Sequence, residues 1–237
     1  MIGDGGLKFT LLDNGADSLK SAYTNLEILN EIADGGEHRL KDAVIFLNHG
    51  VELLLKYILK QRSPALMFEK IDHYLKAKES LKKDKDKKKT VFDIESKLKT
   101  VSLLEALKRI EYLCDIEIPE KLYNTLLYVN KVRNNFMHYE VELDDKETET
   151  LVTNLQVCYE ESVEFLEAHI EDLDDYIQDS RFEITAEEYQ EMQAEIQADM
   201  YYEMYKEAAM MDAMEEEELA KSLEGGYGYA SGGDYKW

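Results

Sequence analysis

The chain has 237 residues, 44% hydrophobic and 33% charged, with one tryptophan and two prolines, which fits one helical globular domain with an appendage. Its formal charge of -23 is unevenly spread: residues 1–139 hold 23 Lys+Arg against 21 Asp+Glu, net +2, and residues 140–237 hold 5 against 30, net -25. Acidity therefore argues against polyanion binding only for the second part, and the lack of both a long apolar run and a signal-like start leads us to expect a cytoplasmic protein with no membrane partner.

Asp17 is expected to cap a first helix, in which Leu19, Ala22, Tyr23, Leu26 and Leu29 recur at helical spacing until Gly35-Gly36. A second helix opens near His38 and keeps one stripe through Leu40, Val44, Leu47, Val51, Leu54 and Ile58, with Pro64 beyond its end. Residues 76–89, KAKESLKKDKDKKK, hold eight lysines against three acids and little to bury, so a mobile basic loop is expected. Its Lys82, Lys83, Lys87, Lys88 and Lys89 are candidates for gripping RNA phosphates through counterion release, beside the plainer possibility of a solvated loop.

Order is expected to resume near Phe92, and Ser102 with Glu105 reads as a capping box ahead of Leu103, Leu107 and Ile110. Pro119 suits the first turn of the next helix, whose buried stripe is Leu122, Leu126, Val129 and Phe136. The acids at 144–149 suit the start of another, in which Leu151, Leu155, Cys158, Phe165 and Leu173 carry an apolar face past residue 170. No stretch alternates with the period of a strand. The expected fold is all-α: an up-and-down bundle of four to five helices over residues 1–177. Residues 178–237 are expected to add an acidic, Met- and Tyr-rich helix capped by Thr185 and Glu188, and a flexible Gly/Tyr-rich tail. That acidic region would dock on its own bundle or offer a handle to a regulatory partner.

Cys114 and Cys158 stand apart, without CxxC spacing or nearby histidines, and read as small buried hydrophobes, neither a disulfide nor a zinc site. Neither a metal nor a cofactor is implied by any motif; GxGxxG, P-loop and GxSxG patterns are absent. His38, His49, His73 and His169 lack a matching arginine or a second ligand in sequence and read as structural or surface residues.

The stretch KVRNNFMHYE, residues 131–140, is different. Arg133 and His138 are five apart, with Asn134 directly after the arginine. Histidine exchanges protons near neutral pH and arginine presents a fixed fork of donors to phosphate, so the pair suits phosphodiester chemistry. Five residues of straight helix rotate by about 140°. The two side chains therefore converge only if the helix ends or turns between them, which the polar Asn134-Asn135 pair and the acidic residues after Tyr139 suggest. A simpler alternative is a pair of cations favoured at a helix carboxy terminus.

RNNFMH, following a helix that reads AVIFLNHGVELLLKYIL, resembles the HEPN superfamily of small helical-bundle proteins, over roughly residues 17–175. The family motif is R-x4-6-H with a polar residue after the arginine, matched here by Arg133, Asn134 and His138. What the resemblance implies is a metal-independent endoribonuclease, without cofactor, acting as a homodimer whose two motifs line one cleft. By that analogy the protein would be a prokaryotic toxin or antiphage effector cutting tRNA or other RNA, with an antitoxin or other regulatory protein held at the acidic region. His138 would move the proton, Arg133 would stabilise phosphate charge and Asn134 would orient either group; Glu52 and Tyr139 are secondary candidates. Some family toxins carry a modified tyrosine two residues beyond the histidine, but Glu140 occupies that place here. The competing expectation is a non-catalytic HEPN-like module that binds a nucleotide or a partner protein.

Overall fold

A computed structural model describes residues 9–32, 34–84, 88–181 and 185–225. Among these residues the regular structure is helical, with no strand beyond one isolated bridge, and the chain divides into two compact units, 1–181 and 182–237.

In the first unit, α1 (Leu11–Glu31) starts at a capping box: the Asp13 amide donates to Thr10 Oγ1 and the Thr10 amide donates to the Asp13 carboxylate. The helix thus begins well before Asp17, which lies inside it and pairs with Arg181 at 3.0 Å. α2 (Glu37–Arg62) packs along α1 more intimately than any other helix pair does. Gly15 and Gly50 allow this approach, since a Cβ at Gly15 would lie 2.6 Å from Leu54 Cγ and one at Gly50 would lie 3.0 Å from the Gly15 carbonyl oxygen. Around this pair α5 (Leu103–Cys114), α6 (Glu120–His138) and α7 (Asp145–Glu167) close a leucine-rich core that includes Leu47, Leu54, Leu107, Leu126 and Leu155. Cys114 and Cys158 are free and buried, and burial pushes the Cys158 thiol up to about 11 against weaker lowering by Thr125 and Ser162.

Two further expectations need correction. Residues 76–83 are not loop: α3 (Ile71–Lys83) continues through them, because Tyr74 and Ala77 bury against Phe68 and Leu98 in a small second core. Phe68 stacks on Tyr74 at 4.7 Å, and the one-turn α4 (Val91–Ile94) closes that lobe. Lys82 and Lys83 therefore occupy the last turn of a helix, where cations meet exposed carbonyls; Lys87 lies outside the described residues, and Lys88 and Lys89 are exposed. The second correction concerns α7, which stops at Glu167 rather than running on to Leu173. Asp172 adopts left-handed geometry (φ 57°), and the turn redirects α8 (Leu173–Asp179) so that Leu173 and Ile177 bury alongside α1.

Arg109 joins the lobe to the core. Its guanidinium takes Glu105 on its own helix and donates to the carbonyls of Leu66 and Phe68, both at 2.8 Å, within and just after a 3-10 turn at Pro64–Met67.

The second unit is α9 (Ala186–Gly225), opened by the Thr185–Glu188 box, with exposed tyrosines and methionines along its length. Forty residues span about 60 Å. The expected Gly/Tyr-rich tail, 226–237, lies outside the described residues. No described helix is long and apolar enough to cross a membrane.

Candidate functional site

Pro119 stands just before α6 as its N-cap, and Leu122, Leu126 and Val129 turn one face of the helix into the core. Continuing that stripe by steps of four and three residues reaches Arg133 and Phe136, both half-buried. Asn134 and His138, four apart, share the outer face and are exposed. The helix does not end within the motif: it runs to His138 and stops at Tyr139, whose extended residue donates its amide to Asn135 O at 2.8 Å. The expected convergence of Arg133 and His138 within one chain is therefore not brought about by a helix end. The inner stripe claims Arg133, and the two residues stay about 140° apart around the helix.

Arg133 is paired differently. Its Nη1 donates to Asn134 Oδ1 at 3.0 Å, and among the described residues it has no carboxylate partner. One turn earlier, the Asn130 side chain accepts from buried Asn48 Nδ2 at 3.3 Å, which fixes α6 against α2. That contact brings His49 into the electrostatic range of Arg133. Although exposed, His49 has lost enough water to lower its pKa; Glu52 opposes the shift, and the charges of Lys56 and Arg133 add to it.

Glu52 is not a free acid. Its carboxylate takes the ammonium of Lys56 at 2.6 Å, and Lys56, itself buried, also donates to Thr100 Oγ1 at 3.0 Å. Removing either partner would strand a charge in a poorly hydrated place, so the pair holds α2 to the chain ahead of α5. Tyr139 is exposed at the end of α6 without a described partner.

Beside the same end of α6 lies a groove of about 520 Å³, lined by Leu29, Leu40, Phe136, Leu143 and Val152 together with the acids Asp34, Glu37 and Asp145. Its apolar side chains suit the face of a flat ring, while the three carboxylates offer acceptors and disfavour a phosphate inside the groove itself.

The structure thus splits the predicted set into Arg133 facing α2 and Asn134 with His138 facing outward, and it adds His49. Sequence held a signal for His49, since His49, Glu52 and Lys56 fall on one face of α2; its proximity to Arg133 depends on how α2 and α6 pack. No family model matches the chain, and no curated protein or solved structure matches it either.

The His49 shift has a measurable consequence. In the unfolded chain the imidazole titrates near 6.5, and in the folded protein it titrates lower. Between those values the unfolded state binds more protons, so folding stability is present above about pH 6.5 and is lost as pH falls through that window. Urea midpoints followed from about pH 8 to pH 5 should fall less steeply for His49→Gln than for wild type. Parallel profiles would remove the desolvated imidazole as their cause.

Proposed function

We propose that the protein is a metal-independent endoribonuclease of the HEPN type, working as a homodimer. The observation that carries this reading is Arg133, a half-buried guanidinium with no carboxylate partner among the described residues, which donates to Asn134 and whose charge is felt at His49. A cation held without a counter-charge is ready for a phosphate oxygen, and a fork of N–H groups can follow charge as it builds on the phosphorane.

The ribose 2'-OH attacks the adjacent phosphorus, a histidine takes its proton, and a second acid protonates the departing 5'-oxygen. The products are a 2',3'-cyclic phosphate and a free 5'-OH. One motif offers one histidine, His138; a second copy of the chain offers another. In this arrangement the helices α1, α2, α5, α6 and α7 serve as the family's up-and-down bundle, and a cytoplasmic toxin or defence effector with a regulatory protein at the acidic region is the corresponding biological setting. Lys82, Lys83, Lys88 and Lys89 add positive potential for the RNA backbone.

The separation of Arg133 from His138 within one chain favours a second reading, a binding module in which Arg133 holds a phosphate and the Phe136 groove holds its base. Incubating the purified protein with total RNA in EDTA separates the two. Fragments ending in cyclic phosphate support the nuclease, whereas intact RNA that is retained by the protein on a filter supports the module.

A further inference from the structure

The small lobe around α3 contains a second cationic site. There the chain crosses itself at an antiparallel bridge between Phe68 and Thr100, with the Glu69 amide donating to Lys99 O at 3.0 Å and the Val101 amide donating to Met67 O at 2.9 Å. The crossing brings Lys70 beside Lys97 and Lys99, far along the sequence. Together with His73, in the first turn of α3, they line a pocket of about 180 Å³ closed by Leu98 and Glu69.

Among the described residues, none of these three lysines forms an ion pair. Glu69 is the one acid in the lining, so the pocket keeps an excess of positive charge. Arg109, which reaches the same turn, is spent mainly on Glu105 and the carbonyls of Leu66 and Phe68 and does not line this pocket. Ammonium groups gathered around one concavity repel each other, and an oxyanion between them relieves that repulsion.

The size of the anion follows from the rest of the helix. Lys82 lies in the last turn of α3 about 18 Å from Lys70, with exposed Lys78 one turn before it, so the helix carries cations at both ends, while Lys83 is held by Glu79. A single small anion would use only one end. We infer that the Lys70–Lys97–Lys99 pocket takes a backbone phosphate of a single-stranded polynucleotide that continues along α3 towards Lys78 and Lys82. This binding does not depend on cleavage and stands or falls apart from the role of Arg133.

The test uses the full chain and a fluorescently labelled oligodeoxythymidylate, which lacks the 2'-OH and so resists the proposed cleavage, with anisotropy read over a salt series. The triple variant K70Q/K97Q/K99Q should weaken binding about tenfold at low salt and flatten the slope of log K against log salt by about 2, at roughly 0.7 per lost phosphate contact. The charge-matched K60Q/K108Q/K146Q should retain both the affinity and the slope. Equal losses in the two variants would reduce the effect to net charge and overturn the site, as would an absence of binding by wild type. Titration with inorganic phosphate alone provides another arm: saturation by it without any oligonucleotide binding would overturn the polynucleotide assignment. Labelled polyglutamate that binds as tightly as the oligonucleotide, and is lost with the same triple variant, would transfer the pocket to an acidic protein segment and overturn it too.

Discussion

Arg133→Ala is expected to lower RNA cleavage about 10²–10³-fold, the usual cost of removing one donor aimed at developing transition-state charge. Folding should be nearly untouched, since the guanidinium makes a single side-chain hydrogen bond, to its neighbour Asn134. Arg133→Lys keeps the charge and loses the planar fork, so it should recover only part of the activity. The histidines then distinguish two arrangements of the same chemistry. If two copies of the motif share a cleft, His138→Ala should cost about 10²–10⁴-fold, as loss of a general acid or base does, and His49→Ala should cost little. If the arginine instead works with the histidine that α2 places near it, the two effects exchange. Full activity in Arg133→Ala, measured on the same RNA in the same buffer, would end both versions.

Gly50→Val should damage folding strongly, by about 3 kcal/mol, the upper part of the usual range for overpacking. The position leaves no alternative: a Cβ there already sits 3.0 Å from the Gly15 carbonyl oxygen and 3.1 Å from Leu19, and backbone cannot swing away as a side-chain tip does. A branched side chain must push α1 and α2 apart along their whole contact. Gly50→Ala is milder because better helix propensity, worth about 1 kcal/mol, offsets part of the clash. Urea unfolding of both variants reads the difference directly, and a valine variant within about 0.5 kcal/mol of wild type would show that the helices have room to relax. Because Asn48 and His49 precede Gly50, separating the helices would also loosen the Asn48–Asn130 contact that holds Arg133 in place.

The parts legible from sequence are those whose signal is local. Most of α2 could be drawn from its apolar period, the Thr185–Glu188 box marks a real helix start, and Ser102 accepts from the Glu105 amide, although the Glu105 carboxylate turns to Arg109 and leaves the expected box half formed. Where two local signals compete, the sequence misleads. Asp17 resembles a cap, but the Thr10–Asp13 box lies upstream and the residues between them sustain a helix. Lysine density in 76–89 reads as solvation, although lysine, alanine and glutamate are good helix formers and two buried positions, Tyr74 and Ala77, suffice to seat α3. Leu173 reads as a continuation of the apolar face of α7 because nothing in the pattern around it announces the left-handed Asp172. The site is the hardest case. Arg133, Asn134 and His138 are visible as a motif, yet the side of α6 on which each falls, and the neighbour that α2 supplies, are set by packing between segments some 80 residues apart.

Cys158 has a use beyond packing. Thiol reagents attack the thiolate, and a sulfur that is buried and held near a pKa of 11 offers almost none of that form at neutral pH. Each labelling event at this position must therefore wait for the helices around it to part, and the rate of modification becomes a clock for how often the first unit opens under native conditions.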